Sequence, residues 1–313
     1  MSGETTSNNT LLQRTEWLSD TIKETLEEEL MVQTWLNWAP LNDGSATYKV
    51  PSIGDAIVDD YTEEDAIKFR PLDKGQFTLN IDEHISSGHY ITDTAMENTH
   101  YAEQLVSRIP NKEIRAVMKR IETDILKLQG NQTAANTNLI NGQKHRFVGS
   151  GSSNTIAVED FARASLAFDT ANVSPQNRIA ILHPSAAFSL NTLTNLTNVS
   201  NNPMFEGVVA DSMFSGMKFT KNVYGFDVYV SNYVDTITAE TLETVDCAGF
   251  AANVFMSANG DERPWMGAWA RMPRFKSWRD DDHERTKYVT TGRYGLGVYR
   301  PESVVVVPTS TSV

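Results

Sequence analysis

The strongest constraint on this chain is a rod. Between Ile109 and Gly130, the residues Ile114, Val117, Met118, Ile121, Ile125 and Leu128 recur at the i, i+3, i+4, i+7 spacing of one helical face. Lys112, Arg115, Lys119, Glu122 and Lys127 fall off that stripe, and Arg120 with Asp124 makes an i,i+4 pair. Pro110 suits a first helical turn, where its missing N–H has no partner to lose, and Gly130 suits a C-terminal stop. About twenty residues at ~1.5 Å rise make a helix roughly 30 Å long. A core helix of a soluble enzyme has the same periodicity, so the flanking segments decide what the rod belongs to.

Before it, residues 1–9 read as a polar tail, and Thr10 to Trp38 is expected to be helical, with Leu11, Leu18, Ile22, Leu26 and Leu30 mostly four or seven apart. Trp17, Trp35 and Trp38 in that segment need something large to pack on. Ala39-Pro40 ends it. Residues 41–81 then read as a long two-stranded arm. Thr47 to Val50 lead out, and Gln76 to Ile81 return with Phe77, Leu79 and Ile81 alternating against polar neighbours. Between them lie Asp55, Asp59, Asp60, Glu63, Glu64 and Asp65, together with the apolar Ile53, Ile57, Val58, Tyr61, Ile67 and Phe69. An isolated hairpin is marginal in water. At ~3.3 Å per residue a dozen-residue strand reaches about 40 Å, so this arm is expected to lie on a neighbouring copy.

Around and after the rod the pattern is mixed. His84 to Thr94 reads as a short strand and a turn at Gly88, and Thr94 to Arg108 has helical spacing running into the rod. Residues 131–154 are Asn-, Gly- and Ser-rich and read as one long loop. Thr155 to Asp169 is a second amphipathic helix, Arg178 to Leu182 a buried strand, and Pro184 opens a helix through Leu193. A loop-rich stretch over residues 194–222 follows. Further strands are expected at Phe226–Ser231, Phe250–Met256, Thr286–Val298 and Val304–Val307, the last closed by Pro308, with an aromatic and basic segment at Trp265–Trp278. The fold class is α+β.

Composition removes several functions. Forty acidic against 27 basic side chains leave a net charge of −13, the wrong balance for a broad phosphate-neutralising surface. Cys247 is the only cysteine, so no intrachain disulfide and no Cys-based zinc site can form, and a buried apolar role is expected for it. The opening MSGETTSNNT lacks a signal pattern, and no run approaches the ~20 apolar residues of a membrane span. The expectation is a soluble or self-associating protein of a reducing cytosol.

The search for chemistry is as unproductive. Gly149–Asn154 (GSGSSN) precedes a helix as a phosphate-binding loop would, but lacks the third glycine of the dinucleotide fingerprint and any βαβ setting. Asp280-Asp281-Asp282-His283-Glu284 is dense in potential hard-cation ligands, yet adjacent acids point in alternating directions and rarely converge on one ion. Arg271, Arg274, Lys276 and Arg279 just precede it, so opposite charges can meet across a subunit boundary. Six histidines at 84, 89, 100, 145, 183 and 283 show no ligand spacing. No catalytic, cofactor-binding or metal-ligating residue is expected.

Three stretches give this order of elements a precedent: IKFRPLDKGQFTLNIDEHISSGHYITDTA at 67–95, IPNKEIRAVMKRIETDIL at 109–126, and the pair NVYGFDVYVSNYV at 222–234 with YRPESVVVV at 299–307. Taken in sequence they resemble the major capsid proteins of tailed bacteriophages, whose fold is named after phage Hong Kong 97. The resemblance covers about Leu11 to Val307. It implies an N-terminal arm (1–39), an extended loop (40–82), a peripheral domain with a spine helix (83–180 and 246–298) and an axial α/β domain (181–245 and 299–313). It further implies pentamers and hexamers closing an icosahedral shell in the bacterial cytoplasm, with the virion as final location, DNA enclosed without sequence-specific contact, and no membrane. With only about forty residues ahead of the loop, a separate scaffolding protein is expected, with a portal and a decoration protein as further partners. Subunit contacts are expected at Trp17, Trp35, Ile53, Ile57, Val58, Tyr61, Ile67, Phe69, Arg274, Arg279, Asp281 and Glu284, without covalent cross-links. Two alternatives stay open: an encapsulin-type compartment shell, and a soluble oligomeric enzyme using the 149–154 loop as a phosphate cradle.

Overall fold

The computed structural model describes residues 30–39, 47–53, 58–60, 63, 71, 74–98, 102–130, 137–192 and 219–312. The expected helix over Thr10–Trp38 lies mostly outside them. Its described end is not α-helical: a short 3-10 helix at Val32–Trp35 leads into a short strand, β1 (Asn37–Ala39). β2 (Thr47–Ile53) and β3 (Lys74–Asn80) pair antiparallel as the root of the expected arm. β4 (Glu83–Thr92) runs straight through Gly88, where a turn was expected; the next strand across pairs Gly88 with Val289, and Cβ space there is ordinary. Helix α1 (Asp93–Asn98) precedes α2 (Ala102–Lys127), the rod. The rod starts earlier than its capping signals suggest, so Pro110 sits inside the helix and not at its first turn.

The expected loop after the rod contains a small hairpin, β5 (Leu139–Ile140) with β6 (Gln143–Lys144). Then come α3 (Val158–Thr170), β7 (Arg178–Leu182), α4 (Pro184–Thr192), β8 (Phe219–Val223) and β9 (Phe226–Val230). A minor hairpin of β10 (Thr241–Leu242) and β11 (Val245–Asp246) is followed by β12 (Ala251–Ser257), β13 (Trp265–Asp280), β14 (Arg285–Val298) and β15 (Val304–Thr309). Pro308 lies within β15, paired with Ala252, and does not close it.

Two main sheets result, one of four strands ordered β1-β13-β14-β4 and one of five ordered β15-β12-β7-β9-β8. They cut across the division read from sequence, because β12 joins the five-stranded sheet while β13 and β14 belong to the other. The five-stranded sheet is covered on both faces, which is why its strands read as unbroken apolar runs. Ala180, Leu182, Phe255, Val305 and Val307 pack with Phe161 and Phe168 of α3 and Leu190 of α4. Ile179, Ile181, Val254, Met256, Val304 and Val306 share a second cluster with Val117, Ile121 and Ile125 of the rod and with Trp265, Trp269 and Tyr294 of the long sheet. Each fully buried large side chain contributes roughly 1.5–3 kcal/mol, so this double layer dominates the stability.

The rod's face follows the period, with exceptions on both sides of the stripe. Ile114 is 41 % exposed, while Glu122, expected off the stripe, is fully buried. Its carboxylate accepts the backbone N–H groups of Met31 (3.0 Å) and Val32 (2.9 and 3.1 Å), pinning the incoming chain to the rod. At the rod's C-terminus, the Arg146 guanidinium donates to the carbonyls of Gln129 and Gly130 at 2.9 and 2.6 Å, a cation where the helix end favours one.

Candidate functional site

The enzyme reading meets its test at the 149–154 loop. The Ser150 N–H, which a phosphate cradle would offer to an anion, is accepted by both oxygens of the buried Asp160 at 3.0 and 3.1 Å. Asp160 also takes the Ala157 N–H at 2.8 Å and so caps α3. Burial pushes its carboxyl pKa up, against the pull of those donors. The glycines serve close packing: a Cβ on Gly149 or Gly151 would come within 2.7 Å of the Thr155 carbonyl oxygen. A carboxylate occupies the place an anion would need, and the loop is a helix cap.

The acidic run at 280–284 forms the tip of the β13–β14 hairpin. Asp280 accepts from Arg285 at 3.0 Å and Lys287 at 2.5 Å, which, led by the Lys287 bond, hold its pKa well below the usual carboxylate range. Arg279 bridges Asp93 and Asp281, each at 2.6 Å. The charge pairing expected between subunits is therefore met, for Arg279 and Asp281, inside the chain. Among the described residues no group of three acids, histidines or cysteines could hold a metal. His89 pairs with Glu113 at 3.0 Å and His183 with Ser185 at 2.8 Å, each in a different place. Cys247 is buried, and burial raises its thiol pKa.

What remains is surface. On the face of β14 toward the rod, Thr290 Oγ1 donates to Glu113 at 2.7 Å and the Tyr294 hydroxyl to Asp124 at 2.6 Å. Alternation along the strand turns Lys287, Val289 and Thr291 to the other face. Register sets Trp278, Lys287 and Tyr90 in one row across that face, with Trp278 46 % and Tyr90 60 % exposed. The Arg285 guanidinium lies 4.8 Å over the Tyr90 ring, and Arg274 and Lys276 are exposed nearby. Glu284 is exposed at the tip in a left-handed turn at φ 46°. The distal half of this sheet is thus an uncovered basic and aromatic face.

Its proximal half is covered by the root of the arm. Leu79 and Ile81 pack on Met266, Ala268 and Ala270, with Tyr48, Val50 and Phe77 beside them. The approach is close enough that a Cβ on Gly295 would fall 2.1 Å from the Asn80 carbonyl oxygen, and one on Gly297 2.8 Å from Leu79. Farther out, Val58 is 93 % exposed. Ile57, Tyr61, Ile67, Phe69 and Trp17 lie outside the described residues, as does the side chain of Ile53. Trp35 packs within its own chain, edge-on to Tyr229 at 4.9 Å, and Trp38 stacks on Trp269 at 4.9 Å. Sequence reasoning missed Tyr90, whose row partners only strand register reveals.

Comparison with known proteins supplies a family. Residues 80–307 match the family described as phage capsid protein. In structure the chain resembles the capsid of cyanophage P-SCSP1u, with a TM-score of 0.72, 14 % identity, and coverage of 96 % of this chain and 94 % of that one. It resembles the capsid subunit of cyanophage Pam1 with a TM-score of 0.70, 11 % identity, and 97 % and 98 % coverage. A chain from Mycobacterium phage Che8 gives 0.64, 17 % identity, and 93 % and 96 % coverage. These structural likenesses are ones of fold. No curated protein matches the sequence.

Proposed function

This chain belongs to the phage capsid protein family, and from that premise we propose how its copies build a container. It is a major capsid protein, a structural and non-enzymatic component of the virion. In our reading α2 and the four-stranded sheet form the peripheral domain, and the five-stranded sheet with α3 and α4 forms the axial domain that meets its copies around five-fold and six-fold axes. The arm beyond β2 and β3 lies on an adjacent subunit. A separate scaffolding protein, a portal and a decoration protein are its expected further partners, and double-stranded DNA is enclosed without sequence-specific contact.

The observation that carries this reading is the family match over 80–307. What supports the arm's part is its contrast along its length. Its root is seated on its own sheet through Leu79 and Ile81, yet Val58 stands 93 % exposed. The acids of its outer stretch (Asp55 to Asp65) complement the basic, aromatic face around Arg274, Lys276 and Trp278 on another copy. A standard interface of ~1,600 Å² at ~25 cal/mol per Å² gives a gross gain of about 40 kcal/mol before association costs. Repetition by symmetry turns that into a closed wall. Deleting residues 52–66 should leave a folded subunit that closes no particles, as seen by size exclusion and negative-stain microscopy. Full-size shells from the deletion would overturn the arm's role.

A further inference from the structure

One line of the rod's surface is basic in an acidic chain. Arg108, Lys112, Arg115 and Lys119 recur at i, i+4, i+7 and i+11, a single row along a helix, and Glu122 continues that row toward the C-terminus. Lys119 is exposed, with Nζ 5.3 Å over the Tyr233 ring, and the other three cations are half-buried. Glu113 and Asp124 of the rod turn to the sheet instead, where Thr290 and Tyr294 donate to them. Close to the row lies Ile114, 41 % exposed although it belongs to the apolar stripe. Cations flanking an open aliphatic residue, on a chain of net charge −13, suit an acidic amphipathic partner.

The chain holds such a segment, and its point of entry is fixed. Residues 10–29 lie outside the described residues. They carry Glu16, Asp20, Glu24, Glu27, Glu28 and Glu29 against Arg14 and Lys23, and Leu18, Ile22 and Leu26 recur every fourth position. They run directly into Met31 and Val32, whose N–H groups the Glu122 carboxylate accepts, and Gln33 Nε2 donates to the Met118 carbonyl at 2.7 Å. The anchor therefore sits at the C-terminal end of the basic row. Only one direction from it meets the cations, back beside the rod and parallel to it, since the other way the rod ends at Lys127, little more than a turn off. Met31 and Glu122 are 91 residues apart. The same offset sets Glu28 against Lys119 and Glu24 against Arg115, and brings Asp20 within one position of Lys112. Ile22 and Leu26 then bracket Ile114.

We propose that the rod's basic row is the seat of the chain's own residues 10–29, lying along it as a parallel helix. Asp20, Glu24 and Glu28 meet Lys112, Arg115 and Lys119, and Ile22 with Leu26 covers Ile114. Apolar burial supplies the adhesion, and the ion pairs, individually weak at a surface, set the register. Seated there, the segment's carboxylates take the cations that a phosphate backbone would otherwise reach. The inference does not depend on the capsid reading, and it is tested on the dissociated full-length subunit.

Carbodiimide activation of a mixture of isotopically light and heavy subunits couples carboxylates to the lysines they touch. Mass spectrometry should find Lys119 joined to Glu27 or Glu28, and Lys112 to Asp20 or Glu24, with both halves of each link carrying one label. Lysines coupled to nothing in residues 10–29 would overturn the proposal, and so would links of mixed label, which give the seat to a second copy. Uncoupled lysines in a subunit that binds a short DNA duplex would give it to phosphate instead. Charge reversal reads the register. Glu24→Lys with Glu28→Lys should speed chymotrypsin cleavage between Trp17 and Leu30 several-fold, and adding Arg115→Glu and Lys119→Glu should bring the rate back. No change in the first variant, or no recovery in the second, would overturn the pairing.

Discussion

The two sheets of this molecule are finished to different degrees. Every residue of β12, β7 and β15 is buried, with helices on one side and the rod's cluster on the other. β13 is buried only along Trp265–Ala270, and from Arg271 to Asp280 its residues are exposed or half-buried. Those three strands are covered within one chain. The second stops being covered halfway along, and its outer end is held together by ion pairs and an aromatic row where the inner end has a core.

The contrast is most easily broken by truncating one aromatic in each sheet. Phe255→Ala removes a fully buried ring that meets Phe161 and Phe226 edge-on at 5.0 and 5.3 Å. It should cost about 3–5 kcal/mol in denaturant unfolding of the dissociated subunit. Trp278→Ala on the open face should stay within about 0.5 kcal/mol in the same assay while lowering particle yield. Equal losses in the two variants would erase the distinction between the sheets.

A smaller effect is expected where the N-terminal segment meets the rod. Glu122→Ala leaves the half-buried Met31 and buried Val32 N–H groups without that acceptor, at a cost of about 1–3 kcal/mol. Limited proteolysis should then open the chain near residues 30–40 first. Acid should separate the sheets more gently. His145 and His183, both beside the five-stranded sheet, have pKa values held below the ordinary 6.5 by burial. The unfolded chain takes up those protons first, so stability is full above about pH 6.5 and falls as pH drops toward the lowered values. The slope should shrink in His183→Gln. Asp280 stays ionised across the same window, so the hairpin tip should keep its ion pairs. The smallest effect belongs to that tip itself. Asp280→Asn should change subunit Tm least, because at the half-buried tip an amide oxygen can still accept from Arg285 and Lys287, and water and salt weaken what charge adds.

Much of this architecture was legible because burial writes a period. RIAIL at 178–182 and VVVV at 304–307 are unbroken apolar runs because both faces are covered, and the rod's stripe gave Val117, Ile121 and Ile125 correctly. The failures share one cause, partners remote in sequence. Glu122 looks solvent-facing until Val32, 90 residues away, places its N–H on it, and Glu113 gains its meaning from Thr290. Trp38 reads as the end of a helix, but parallel pairing with Gly267 on β13 makes it strand. The GSGSSN loop imitates an anion cradle because a helix cap needs the same free N–H groups, and only Asp160 shows who takes them. The uncovered face is the least legible part, since Trp278, Lys287 and Tyr90 become a row only once three strands are in register.

One irregularity in β13 has a mechanical outcome. Between Trp269 and Arg274 the strand slips against β14 twice, and Pro273 in that stretch has no N–H to offer the ladder. A continuous ladder would carry any tilt of its free end straight back to Trp265 and the packing around it. An interrupted one yields at the break, so the outer hairpin can lean while its foundation keeps register. Under the proposed assembly, identical copies must settle into corners of unequal curvature, and this elbow lets them differ at the fingertips while agreeing at the shoulder.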